Sequence, residues 1–105
     1  GHAVIHHGTK SIAVRNDRLI LKAPSDGVSG PFIVGTINEI EYQGTFVRVS
    51  LVGEDSHEFA AELSETAMDQ ITFSIGDRVL VTWNEAHAQI LTTSQIATVS
   101  TAGAA

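Results

Sequence analysis

Apolar side chains recur at every second position along most of this chain, and that period constrains the fold more than any other feature. Val47, Val49 and Leu51 alternate with Arg48 and Ser50. His57, Phe59, Ala61 and Leu63 alternate with Glu58, Ala60 and Glu62, and Val79, Val81 and Trp83 alternate with Arg78, Leu80 and Thr82. Successive side chains of an extended chain point to opposite faces, so each run reads as a strand with one face in a core and one in water. Turn signals punctuate the runs: Pro24-Ser25-Asp26-Gly27, Gln43-Gly44, Gly53-Glu54-Asp55, Gly76-Asp77 and Asn84-Glu85. Strands are predicted near 11–15, 18–23, 32–42, 45–53, 56–63, 78–83 and 87–92, a spacing that suits a small barrel or sandwich. Gly35, inside the long 32–42 segment, is the expected site of a bulge or bend. A short helix is predicted at 65–70, capped by Ser64 with Glu65 in its first turn. Phe59, Val79, Val81 and Trp83 are the expected core anchors.

With 105 residues the chain is one domain's worth. Residues 1–9 read as a lead-in, with Gly1-His2 the remnant of a purification tag. Residues 10–92 form the domain, and 93–105 a Ser/Thr/Ala-rich tail in which Ile96 and Val99 give some apolar grip. There is no cysteine, which excludes disulfides, a thiol nucleophile and thiolate metal sites. No apolar run approaches the ~20 residues of a membrane helix. The formal charge is −6, and Arg15, Arg18 and Lys22, the closest basic set, enclose Asp17. That argues against a nucleic-acid partner, which needs clustered cations.

The search for chemistry yields little. Gly8-Thr9-Lys10-Ser11 lacks both glycines of a phosphate-binding loop, so it reads as a turn before a strand. His2, His6 and His7 lie close in sequence but at a terminus, with nothing to close a metal site around them. Ser56 and His57 are adjacent on one strand and point apart, so they make no nucleophile–base pair. Glu39 and Glu41 share a strand face, as do Glu58 and Glu62; such pairs read as a solvated face or a cation-attracting patch. Tyr42 and Phe46 flank the Gln43-Gly44 turn, with Arg48 the one cation nearby. No cofactor is expected in these residues.

Three segments carry a resemblance. Ile37-Asn38-Glu39-Ile40-Glu41-Tyr42-Gln43-Gly44-Thr45-Phe46-Val47-Arg48-Val49 resembles the pattern that recurs around a Tyr-x-Gly turn in TOBE (transport-associated OB) domains of ABC-importer ATP-binding subunits. Ile75-Gly76-Asp77-Arg78-Val79-Leu80-Val81-Thr82-Trp83, followed by Ala88-Gln89-Ile90-Leu91, resembles that family's closing Gly-Asp strand and final hairpin. Ile12-Ala13-Val14-Arg15 resembles its opening strand, with Asn16-Asp17 in place of a Pro-Glu corner. The match is nearest to the polyamine- and iron-importer subfamily.

The resemblance implies an all-β fold, an OB-like small barrel with one short helix, that regulates and does not catalyse. It implies a parent chain whose separate ABC-type ATPase domain binds ATP and Mg. It also implies a homodimer, a cytoplasmic location at the inner membrane through a permease, and in some relatives a small solute bound. Arg15, Asp17, Glu39, Glu41, Tyr42 and Arg48 are the candidate solute or partner contacts. The weakly charged stretch Thr45 to Val52 is the expected pairing edge between copies. A nucleic-acid-binding OB module is the alternative, disfavoured by the acidity; a small hydrolase lacks a converging nucleophile and base.

Overall fold

In the computed structural model, residues 1–69 and 72–91 are described, and they form two antiparallel sheets. The first holds β1 (His2–His7), β2 (Lys10–Arg15) and β8 (Ala88–Leu91), in the order β1-β2-β8. The second holds β3 (Ile20–Lys22), β7 (Arg78–Thr82), β4 (Phe32–Tyr42), β5 (Val47–Gly53) and β6 (Glu58–Leu63), in that order across the sheet. β1 and a 3₁₀ turn, Asn16–Arg18, pack on β6 and bring the sheets together. The fold is all-β and OB-like, with a curled second sheet and one short helix, α1 (Glu65–Asp69). The Ser64 hydroxyl caps that helix, accepting from the Ala67 amide at 3.0 Å. The tail 93–105, with Ile96 and Val99, lies outside the described residues.

The core follows the alternation. Val47, Val49, Leu51, Ala61, Leu63, Val79 and Val81 are buried together with Phe59 and Trp83. Ala3, Ile5, Ile12 and Val14 join them from the first sheet. The lead-in is thus a strand: β1 pairs with β2 from His2↔Arg15 to His7↔Lys10 and puts Ala3 and Ile5 in the core. Its Ala-Ile alternation is too short to stand out among histidines. Gly8 and Thr9 make the tight turn of this hairpin, with Gly8 at φ +63°, a conformation that favours glycine.

Three further expectations are corrected. The bulge in β4 is not at Gly35. Gly35 pairs regularly with Gly53 on one side and Val79 on the other. A Cβ there would stand 3.2 Å from Leu51 Cδ2, so glycine lets strands and core side chains approach. The register shifts between Ile37 and Glu39, leaving Asn38 as the extra residue. Beyond the exposed Arg78, β7 has no wet face: Leu80 is 9% and Thr82 8% exposed. It is central between β3 and β4, and the 3₁₀ turn Pro24–Asp26 folds against it. The Thr82 hydroxyl donates to the Pro31 carbonyl at 2.7 Å, which satisfies the buried polar atom. Lastly, the stretch Thr45 to Val52 is no edge: β5 is paired to β4 and β6 on both sides. Alternation records which face a strand buries and not which strands flank it, so it could not place β5 between β4 and β6.

Trp83 shares the inward parity of Val79 and Val81 and is 4% exposed, with the His7 ring edge-on at 5.9 Å. Replacing it with alanine removes a large buried surface and leaves a cavity, at a cost of about 3–5 kcal/mol. Trp83→Ala should therefore melt many degrees below the parent in a thermal denaturation. A melting point within a degree or two would contradict this packing.

Candidate functional site

The Asn38 bulge determines which side chains face outward on β4. Ile33, Gly35 and Ile37 point inward, opposite Val81, Val79 and Leu51. One extra residue shifts the parity, so beyond it Ile40 is the inward residue, opposite Val49, and Glu39 and Glu41 face outward opposite Ser50 and Arg48. A two-against-one bulge sets two consecutive side chains on one face. Asn38 and Glu39 are both exposed there. They line a cavity of about 360 Å³ between the outer face of β4, β5 and β6 and the start of the first sheet. Arg48, Ser50 and Glu58 also line it, and Asn16 does so from the 3₁₀ turn.

Asn16 is 6% exposed, and its Nδ2 donates to the Ala60 carbonyl at 2.6 Å. Its backbone amide donates to the Gly1 carbonyl at 3.0 Å. It thus ties the first sheet to β6 and sits above Ala60, which it helps to bury. Arg48 is bonded to Glu62 at 3.1 Å across β5 and β6. The Glu41 carboxylate accepts from Gln43 Nε2 at 2.9 Å. A hydrogen bond that the protonated Glu39 carboxyl donates to Glu41, and the negative charge of Glu41, raise the pKa of Glu39 above the ordinary carboxylate value of 4.5.

Of the sequence-derived candidates, the structure brings Glu39, Glu41 and Arg48 together on this face. Arg15 and Asp17 instead pair with each other at 2.8 Å, both exposed, beside Asn16. Tyr42 is 73% exposed at the far end of β4. Sequence reasoning missed Asn16, Asn38 and Ser50, and paired Glu58 with Glu62 without placing it beside Glu39. The signal for the bulge was present, because Ile33 and Ile37 occupy odd positions whereas Ile40 occupies an even one.

A second cavity, about 390 Å³, opens at the barrel end between the β1–β2 and β5–β6 turns. His6 and His57 meet there edge-to-face at 4.6 Å, and His6 Nδ1 lies 3.0 Å from the Ser11 hydroxyl. This cross-strand pair is the nearest approach to a nucleophile and base. Among the described residues no carboxylate is bonded to the His6 ring to orient it, and a triad needs that third group. No three described His, Asp or Glu side chains are placed to share a metal ion.

The raised Glu39 pKa gives a pH prediction. A carboxyl that binds its proton more tightly when folded favours the folded state less as pH climbs, because the ionised pair repels. Glu39→Gln should therefore melt at or slightly above the parent at pH 7. The difference should vanish below the ordinary carboxylate value of 4.5. Melting curves at both pH values decide it; a destabilised variant at pH 7 would contradict the repulsion.

Comparison with known proteins agrees with this architecture. No curated protein matches the sequence. Among solved structures the fold is similar to the cytoplasmic molybdate-binding protein ModG in a molybdate-bound crystal form, with TM-score 0.66 and 15% identity. The likeness covers 77% of this chain and 60% of that one, so the chain spans less than two thirds of ModG. Finally, the TOBE domain family matches residues 12–91, from within β2 to the last residue of β8, and this chain belongs to that family.

Proposed function

We propose that this chain is a non-catalytic regulatory and dimerisation domain of an ABC transporter ATP-binding subunit, acting in ATP-driven solute import and sensing a small solute. The observation that carries the reading is the family match across nearly the whole double sheet, residues 12–91. ModG, which shares the fold, is a molybdate-binding protein, so this architecture can hold a small solute. In the proposed assembly the ATP and magnesium sites belong to the parent's ATPase domain and the permease anchors the pair at the membrane. A domain of this kind regulates by binding better to one state of its neighbour than to the other.

Self-association then needs an edge, and β8 supplies the best one. No described strand pairs with its outer side. Ile90 lies opposite Ile12, itself opposite Ile5, on the inward face, yet is 56% exposed. Antiparallel pairing of β8 with its copy about a two-fold axis would satisfy the free backbone groups and cover Ile90 twice. The charge of −6 on each copy opposes this at low salt and is screened above ~0.1 M.

Sedimentation at low and high salt tests the reading. Association should strengthen as salt rises, the opposite of a nucleic-acid binder, and Ile90→Lys should abolish it. A monomer at hundreds of micromolar at both salts would remove the dimer-contact role. A companion titration with magnesium-ATP should give no saturable heat; micromolar binding would contradict a domain whose ATPase lies elsewhere.

A further inference from the structure

Two imidazoles from different sheets meet at the mouth of the barrel. His6 stands on β1 and His57 directly before β6, with ring centres 4.6 Å apart and planes at 75°. The packing of the sheets does not require this meeting, because Ala3 and Ile5 already hold β1 in the core. Its neighbours on β1 do not join His6. His2 shares its face but lies four residues away, ~13 Å along an extended strand. His7 takes the opposite parity and lies edge-on to Trp83 at 5.9 Å. Ser11 supplies an independent observation. It is the cross-strand partner of His6, and its hydroxyl lies 3.0 Å from His6 Nδ1. A hydroxyl both donates and accepts, so Ser11 accommodates the tautomer in which Nδ1–H donates to it and Nε2 keeps its lone pair. Histidines that ligate metal ions almost always have their other ring nitrogen held by such a bond.

We infer that His6 and His57 are the two protein ligands of a site for a borderline divalent transition-metal ion, zinc or nickel, that clips the first sheet to the second. The spacing fits. An ion ~2.0 Å from one nitrogen of each ring lies ~3 Å from each ring centre, which sets the centres roughly 4.5–5 Å apart. The rings stand at that separation already, and the remaining change is a rotation about His χ2, a torsion with a broad well. Imidazole nitrogen selects zinc, nickel and copper, whereas magnesium and calcium take oxygen. Glu54 and Asp55 line the same cavity of about 390 Å³ and no Lys or Arg does, so its potential favours a cation. These carboxylates are otherwise engaged: Asp55 accepts from the His57 amide at 3.1 Å, and Glu54 pairs with Arg78 at 3.2 Å. No third described His, Asp or Glu converges on the pair, so water completes the coordination shell, for which the open cavity leaves room. The ion would join the sheets at residues 6 and 57, whereas the Asn16 bond to Ala60 joins them further along β6. Binding the folded chain alone, it stabilises the fold by mass action.

The inference goes beyond the regulatory reading and does not rest on it, since one is read by metal titration and the other by sedimentation. Zinc chloride is the probe, titrated by calorimetry into the whole chain after treatment with a chelator. It should bind saturably with one equivalent per chain and raise the melting point, and magnesium chloride should do neither. His6 is exposed and His57 half-buried, so His6→Gln and His57→Gln should keep the metal-free melting transition. Each should lose both the one-to-one binding and the zinc-dependent rise, and the double variant should lose no more than either alone. Ser11→Ala, which frees the His6 ring, should weaken binding by about tenfold. His2→Gln and His87→Gln should leave binding unchanged. Ring resonances of His6 and His57 should shift together on adding zinc. Absence of one-to-one binding, parent-like affinity in either the His6 or the His57 variant, or loss of binding in His2→Gln or His87→Gln would overturn the assignment. Several equivalents bound with no rise in melting point would overturn it in favour of an adventitious ion only.

Discussion

The ladder between β4 and β5, with its one interruption at Asn38, is what the rest of the structure depends on. β4 is shared: Phe32 to Thr36 pair with β7 and Gly35 to Tyr42 with β5. Any error in its register would turn its apolar side chains to water. Gly35 allows the close approach at the crossing of these pairings, where Leu51 and Val81 press on the backbone. The bulge then changes parity, so that Ile33 and Ile37 on one side and Ile40 on the other all reach the same core. Placing one extra residue at the middle of the longest strand thus serves two ends. It bends the strand as a small barrel requires, and it raises Asn38 and Glu39 together on the outside.

The alternation made most of the second sheet legible from sequence, because half-buried strands write their faces into every second residue. Val47 to Leu51, Phe59 to Leu63 and Val79 to Trp83 are all inward as their parity requires. β7 was legible on one face only. Leu80 and Thr82 lie on the opposite parity, and what buries them is a loop from a distant part of the chain, through Pro31 and the turn at Pro24. Nothing local records that loop. β1 was hidden for a related reason: its inward residues are few, and its outward ones include histidines that suggest a tag. The cavity was half legible. Glu39, Glu41 and Arg48 could be placed on one face by parity, whereas Asn16 and Glu58 arrive from elements far away in sequence. Only the packing of the first sheet on β6 brings them in.

The two outer faces of the second sheet differ in character. On β3, β7 and β4 the outward row runs Ile20, Thr82, Phe32, and the next Lys22, Leu80, Val34, mostly apolar. On β4, β5 and β6 it is acidic. β4 belongs to both, and its outward residues change from Phe32 and Val34 to Glu39 and Glu41 along one strand. The row through β7 is covered by the loop from Pro24 to Pro31, with Ile20 and Phe32 exposed at its ends, whereas the row on β4, β5 and β6 carries the acidic side chains.

A second copy on β8 would touch the first sheet alone, and β8 rests on β2, whose last residue precedes Asn16. Coupling between that contact and the second sheet would therefore pass through the position of β2 relative to β6. That position is fixed by the Asn16 bond to Ala60 and by the core residues Ile12 and Val14. A packed core has discrete arrangements and does not deform continuously, so ligand binding can shift the β8 edge only if β2 has a second seat on β6. Asn16 therefore joins the first sheet to β6, and any coupling of the proposed self-association to the second sheet would pass through it.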